Sequence, residues 1–444
     1  MKGALVAVLT LLATAAVAAV PAIPVTAARV IFARRHALCS ADGGRLWGVS
    51  LCGPLMLADP KTHAAIANVR LPDAERVGAY YRFTLPANLP IANAPFEYDD
   101  IRFAQVMWPM TGSAQAQAVT LMHESFHRIQ PQLGFVVHGA RNAAAMISGD
   151  PALDTEAGRI WLRGEIHALR AALRSTGAAR RKALADALAL RAYRDAVLPA
   201  TVAPEHLLDV MEGLAESTGI DVGLPPAQRL AYTLHDMRYA ENAPSYAREF
   251  WYAIGPAYSE LLDAVEPQWR RAVTMKTSIA ALAARAYGIT VTRPSASAAQ
   301  AILTRYGGAT IEQEEAARAA LQAAREATYR KELVKGPTLR LPMMRFRIEF
   351  NPADVDGFGR HGSVYHHLMV SAPWGRIVVA HGDALIDANF STLTVAAPAS
   401  LAGSQLHGRG WILTLSRGTR IVPDPGKRGS YTVAVPLAGS RPKR

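Results

Sequence analysis

Leu121-Met122-His123-Glu124-Ser125-Phe126-His127-Arg128-Ile129 is the stretch on which the reading of this chain turns. Its two histidines stand four residues apart, with a glutamate directly after the first. On an α-helix, positions i and i+4 stack on one face, so both imidazoles can point at one metal ion. Glu124 projects beside them and can take a proton from a metal-bound water while the histidines hold the ion. The run 114–122 that leads in is uncharged and helix-compatible, and Ser125 and Phe126 are uncharged as a buried helix requires. Arg128 must therefore face away from the metal.

Outward from this motif, residues 113–336 are dominated by Ala, Leu, Arg and Glu at helical spacing, with few glycines. Residues 156–173 and 180–197 read as an antiparallel helical hairpin broken at Ser175, Thr176 and Gly177. A late helix is expected from a capping box at Thr310 and Gln313 to about Lys335, preceded by a hinge at 292–296. Before the helical middle, apolar stretches at 45–51 and 55–57 alternate with turn residues and predict hairpin strands. Residues 71–108, rich in Pro and Asn with short aromatic runs, read as a mixed lead-in. After Gly336-Pro337 the pattern becomes alternating apolar and polar with frequent glycine. Strands are expected at 345–350, 364–370, 376–379, 391–395, 411–415 and 431–435, forming a small β sandwich or sheet. The expected fold class is α+β: a β-rich segment over 29–110, a mainly helical core over 111–336 and a β-rich accessory domain over 337–444.

Composition bounds the function. The 444 residues carry 48 basic and 36 acidic side chains, net +12, and half are hydrophobic, enough to bury a large core. Intrinsic disorder and a disulfide-stapled miniprotein are excluded. The positive charge is mostly arginine spread along helices, without a zinc-finger, ribonucleoprotein or helix-turn-helix signature, so no nucleic-acid partner is expected. Residues 1–28 combine Lys2, a charge-free apolar run over 4–20, and small residues at 16–18 and 26–28, the pattern of a secretory signal peptide. A membrane is a partner only if this segment is retained as an anchor. Export, to a periplasmic or extracellular space, puts Cys39 and Cys52 in oxidising surroundings. Thirteen positions apart in a turn-rich segment, they are expected to form a disulfide rather than two buried thiols.

A catalytic zinc site takes three protein ligands and leaves a fourth position to water. The segment Val210-Met211-Glu212-Gly213-Leu214-Ala215-Glu216-Ser217-Thr218-Gly219, taken with the histidine motif, resembles the gluzincin metallopeptidases, the group containing thermolysin and the zinc aminopeptidases. The resemblance implies a zincin-like core in which zinc is held by His123, His127 and Glu212. It implies that Glu216, one helical turn on, accepts a hydrogen bond from a ligating imidazole, against the plainer reading of an exposed helix carboxylate. It also implies an oxyanion donor downstream, and Phe250-Trp251-Tyr252-Ala253-Ile254-Gly255-Pro256-Ala257-Tyr258 offers Tyr252 and Tyr258. Both tyrosines have an alternative as packing aromatics, and Arg248 is a candidate clamp for a substrate carboxylate, with a surface role the favoured reading. The resemblance covers two short motifs and their order. It departs in spacing, since 84 residues lie between His127 and Glu212, an excess that an inserted helical hairpin accounts for. Rival third ligands are His138, Glu165 and His167; residues 128–133 lack the His-x-x-Gly-x-x-His continuation that would favour His138.

The expected function is that of an exported zinc-dependent metallopeptidase, which hydrolyses peptide or protein substrates by glutamate-assisted attack of a zinc-bound water. The alternative is a non-catalytic envelope protein with a structural or vestigial zinc site and a binding C-terminal domain; a zinc hydrolase acting on other substrates shares the site. His361, His366, His367 and His381 invite a second metal, but no cysteine or carboxylate stands at ligand spacing around the adjacent pair. Gly357-Phe358-Gly359 and Gly408-Arg409-Gly410 read as turns, and Asn389-Phe390-Ser391 as a sequon relevant only where exported proteins are glycosylated.

Overall fold

The computed structural model describes residues 23–86, 89–139, 146, 151–247, 249–350 and 354–435. The apolar run 4–20 and Arg248 lie outside the described residues. The fold is α+β, and the chain divides into two compact units, one up to Glu312 and one from Gln313 onward.

The first unit opens with helix α1 (Val25–Asp42), which contains the expected 28/29 boundary. Ile23, Ala28 and Phe32 are buried against Leu55, Leu57, Ile66 and Val106 of a sheet. Among the described residues no helix is long and apolar enough to cross a membrane. Cys39 and Cys52 form the expected disulfide, with their Cα atoms 5.2 Å apart. The expected strand at 45–51 does not form. Gly43, Gly44 and Gly48 take φ of 58°, 83° and 74°, a left-handed backbone that coils the segment into turns.

Strands β1 (Leu55–Ala58), β2 (Ala64–Ala67), β3 (Glu75–Val77), β4 (Tyr80–Thr84), β5 (Ala94–Tyr98) and β6 (Ile101–Met107) make one sheet in the order β3-β4-β2-β1-β6-β5. The stretch 71–108 is thus mostly strand. β1 and β2 are buried at every position because apolar clusters cover both faces, which accounts for their unalternating sequences LMLA and AAIA. β1 and β6 run parallel, and β5 is an edge strand.

Helix α2 (Ala114–Ile129) leaves the sheet after β6, capped by Ser113, whose hydroxyl accepts from the Ala116 amide at 3.2 Å. The hairpin of α3 (Glu156–Leu173) and α4 (Gly177–Val197) follows as expected. Then come α5 (Val202–Leu208), a π-helical turn (Asp209–Gly213), α6 (Leu214–Gly223), α7 (Pro226–Glu241), α8 (Trp251–Asp263), α9 (Ile279–Ala286), α10 (Ala296–Arg305) and α11 (Gly308–Tyr329). The capping box at Thr310 is not used. The Thr310 and Ile311 amides bond the Gly307 carbonyl, so the helix has already begun.

In the second unit two sheets share one core that includes Leu339, Leu341, Val370, Ile377, Val395 and Leu413, the expected sandwich. The expected strand 364–370 is split at His366-His367 into Ser363–Tyr365 and Leu368–Ala372, which belong to different sheets. Carboxylates remote in sequence do reach these histidines, contrary to the spacing argument. His366 Nδ1 lies 2.8 Å from Asp383, its Nε2 3.3 Å from Asp356, and His367 Nδ1 3.3 Å from Asp354.

Behind the π turn, the helical core encloses a charge network. Arg194, wholly buried, pairs with Glu165 and Glu205, and Arg191 holds Asp209 at 2.8 Å. Removing one member of such a network leaves its partners charged and dry. Arg194→Met is expected to destabilise the chain by about 3–5 kcal/mol, measured as a lowered urea midpoint of the full chain.

Candidate metal centre

His123, Glu124 and His127 are buried on α2, and Glu212 is buried on the π turn. The two histidine Nε2 atoms lie 2.9 Å apart, and Glu212 Oε2 lies 3.6 Å from that of His123 and 3.4 Å from that of His127. The three residues could hold a metal ion. Donors about 2.0 Å from a tetrahedral ion stand roughly 3.3 Å from one another, so this spacing fits one.

The outer nitrogens are occupied by other groups. His123 Nδ1 bonds Glu216 at 2.8 Å, and His127 Nδ1 bonds Gln130 Oε1 at 2.7 Å. Both rings thereby turn Nε2 inward, the orientation a ligand needs. Gln130 was not foreseen from the sequence. It sits three residues past His127 in a short 3-10 turn, and its amide also donates to the Met211 carbonyl at 2.8 Å, tying the ligand helix to the turn that carries Glu212. No sequence signal marks it, because its two partners meet only in the folded chain.

Two backbone contacts bring the partners in. A β-carbon at Gly219 would stand 2.7 Å from the Val119 carbonyl, and one at Gly223 2.9 Å from Ala118. These glycines let α6 lie directly on α2 and deliver Glu216. Gly255 meets Gly213 in the same way, where a β-carbon would approach the Gly213 Cα to 2.3 Å. That contact sets α8 against the π turn, and Tyr252 reaches the centre: its hydroxyl donates to Glu212 Oε2 at 2.9 Å, and its ring stacks on His123 at 5.7 Å.

Burial lowers the basicity of His123, but its hydrogen bonds to Glu212 and Glu216 and the charge of Glu124 outweigh it and hold the imidazole well above its usual range. Burial pushes Glu212 up, yet His127 and His123 bring it well below the ordinary carboxylate range. Glu124 is raised, since burial there exceeds the pull of both histidines. Its Oε2 has no hydrogen-bond partner among the described residues, and it lines a cleft of about 520 Å³ with the three candidate ligands. A raised, unengaged carboxylate beside a candidate ligand set can accept a proton.

Other candidates fall elsewhere. Tyr258 is fully buried and donates to Glu165, so it does not reach the cleft. Glu165 belongs to the arginine network, His167 bonds Glu241, and His138 is exposed outside the cluster. Arg128 is turned from the histidine cluster, as expected, and donates to the Ser50 and Cys52 carbonyls. Compared with family models, curated proteins and solved structures, the chain matches none. Gln130→Ala is expected to weaken metal binding about 10- to 100-fold, read by competition with a chromogenic chelator at fixed pH.

Proposed function

We propose that the protein is an exported zinc metallopeptidase. The observation that carries the reading is the convergence of His123, His127 and Glu212 beside the unengaged Glu124 in an open cleft. A site with three protein ligands and a neighbouring base suits catalysis, where a structural site takes four. Two imidazoles and one carboxylate also suit zinc among the borderline metals. When bound, the ion supplies a Lewis acid that acidifies water and polarises a carbonyl.

The chain's own groups do the rest. Glu124 accepts the proton of the attacking water and is placed to pass it to the leaving amine. Tyr252, whose hydroxyl already points at the centre, supplies a donor for charge that develops on the carbonyl oxygen. Glu216 and Gln130 keep both imidazoles oriented.

A polypeptide substrate is favoured by the edge strand. Asn93, Ala94 and Pro95, at the start of β5, line the cleft, and an extended peptide can pair with an unpaired sheet edge. A second cavity of about 500 Å³, lined by Val106, Trp108, Met110 and Thr120, also has Asn93 in its wall.

Export is supported by the disulfide and the signal pattern. Because Ile23 and Ala28 pack in the core, cleavage after the small residues 16–18 preserves α1, whereas cleavage after Ala28 removes buried groups. The expected mature chain therefore begins near Ala19, which an intact mass of the secreted protein checks.

The purified mature chain is expected to hold one zinc and cleave unfolded protein. Glu124→Gln should keep the zinc and lose proteolysis by at least about 10²-fold. A chain without zinc, or one whose proteolysis survives Glu124→Gln, overturns the proposal.

A further inference from the structure

We propose that Arg35 and Arg128 are positioning residues of the metal helix and that the Cys39–Cys52 disulfide latches them, so that metal retention depends on that bond staying oxidised. The inference rests on the metal-centre reading above.

Residues 50–53 form a strap whose four successive carbonyls all go to two guanidinium groups. Arg128 donates to Ser50 O at 3.1 Å and Cys52 O at 2.8 Å. Arg35, on α1, donates to Leu51 O at 2.6 Å and Gly53 O at 3.0 Å, and its Nε reaches Ser125 Oγ at 3.2 Å. Ser125 lies between the two histidines in sequence, and Arg128 directly follows the second. The strap therefore grips α2 at both, on the face turned from the metal.

Both arginines are buried, at 3% and 8% exposure, and ion pairs to neither are found among the described residues. Burial and the charge of Arg128 bring Arg35 down to about 9, and burial and Arg102 lower Arg128. Carbonyl dipoles of the strap thus stand where carboxylates usually do. Gly53 is shaped to this contact, since a β-carbon there would come within 2.5 Å of the Arg128 guanidinium carbon.

One end of the strap is held by Asn68, which donates to Gly53 O at 3.0 Å and accepts from the Leu55 amide at 2.7 Å. The other end follows the glycine turns at 43–48 and is tied to α1 through Cys52. Cys39 is wholly buried and Cys52 partly exposed, so Cys52 Sγ is the sulfur that a reductant reaches. A dithiol reductant attacks Cys52 Sγ and Cys39 leaves as thiolate. The reductant's second thiol then displaces Cys52, leaving two reduced cysteines and an oxidised reductant. A loosened strap strands two like charges in a dry interior, and relief of that repulsion moves α2 and its histidines.

The test is the rate at which the zinc-loaded full chain releases its metal to excess chromogenic chelator, with far-UV circular dichroism as the check on folding. Release from Cys39→Ser/Cys52→Ser and from Arg128→Gln, which keeps the disulfide, should be at least about tenfold faster than from the oxidised wild type, with helix content unchanged. Arg128→Lys should recover part of the slow release. Unchanged release from the folded double-serine chain overturns the latch while leaving the metal centre standing, and unchanged release from Arg128→Gln overturns the positioning role. If the double-serine chain does not fold, wild type reduced with a non-chelating phosphine takes its place, and unchanged release from it overturns the latch. Failure of the oxidised wild type to take up zinc overturns the metal-centre reading, and this inference with it.

Discussion

The convergence of His123, His127 and Glu212 depends on two places where helix backbones touch without side chains between them. His123 and His127 share a helix and would face the same way in any context. Glu212 and Glu216 come from a segment more than eighty residues later, and their approach is set by Gly219 and Gly223 against Val119 and Ala118. A β-carbon at either position stands inside ordinary contact distance, so side chains there would push α6 off α2 and disturb the 2.8 Å hydrogen bond from His123 to Glu216. The same holds at Gly213 and Gly255, which fix Tyr252 on the ligand carboxylate. Glycine in a helix costs about 1 kcal/mol in propensity. Here that cost is offset by the close packing it permits.

The π turn explains how one short segment serves two charge environments. Asp209 and Glu212 are three residues apart, both buried, and need different partners. Asp209 turns toward Arg191 and the network of Glu165, Arg194 and Glu205 in the helical interior. Glu212 turns toward the histidines. Burial raises Asp209 even with its arginine, while the histidines keep Glu212 ionised, as a metal ligand must be. The carboxylate that faces the histidines is thus the one withheld from the arginines.

How much of this was legible depended on whether periodicity carried it. The i, i+4 spacing of His123 and His127 and of Glu212 and Glu216 is a helical repeat, and the structure brings all four residues together. The hairpin of α3 and α4 was readable because alanine-rich amphipathic stretches carry a strong 3.6-residue signal. The edge strands β3 and β5 were not, because they are short and Pro95 interrupts what alternation β5 has. Gln130 was invisible because its partners, His127 Nδ1 and the Met211 carbonyl, meet only in the folded chain. Tyr252 and Tyr258 differ by six residues, and no sequence rule said which faced the cleft. Gly255, between them, packs on Gly213, which puts Tyr252 by Glu212 and leaves Tyr258 with Glu165.

The histidines of the second unit show why residue type and proximity are insufficient without direction. His366 has carboxylates on both ring nitrogens, Asp383 on Nδ1 and Asp356 on Nε2, and Asp356 also accepts from the Tyr329 hydroxyl at 2.5 Å. These partners approach from opposite edges of one ring, so their oxygens diverge and no single point lies within coordination distance of all the donors. His367 carries its own partner, Asp354, away from that pair. At the first site the arrangement is the reverse. The Nδ1 atoms of His123 and His127 diverge to Glu216 and Gln130, and the Nε2 atoms converge on Glu212. Each outer hydrogen bond there frees the inner nitrogen, whereas at His366 both nitrogens are already used. A ring with one edge satisfied by the protein and the other aimed at a shared point is what separates a candidate ligand from a hydrogen-bonded histidine.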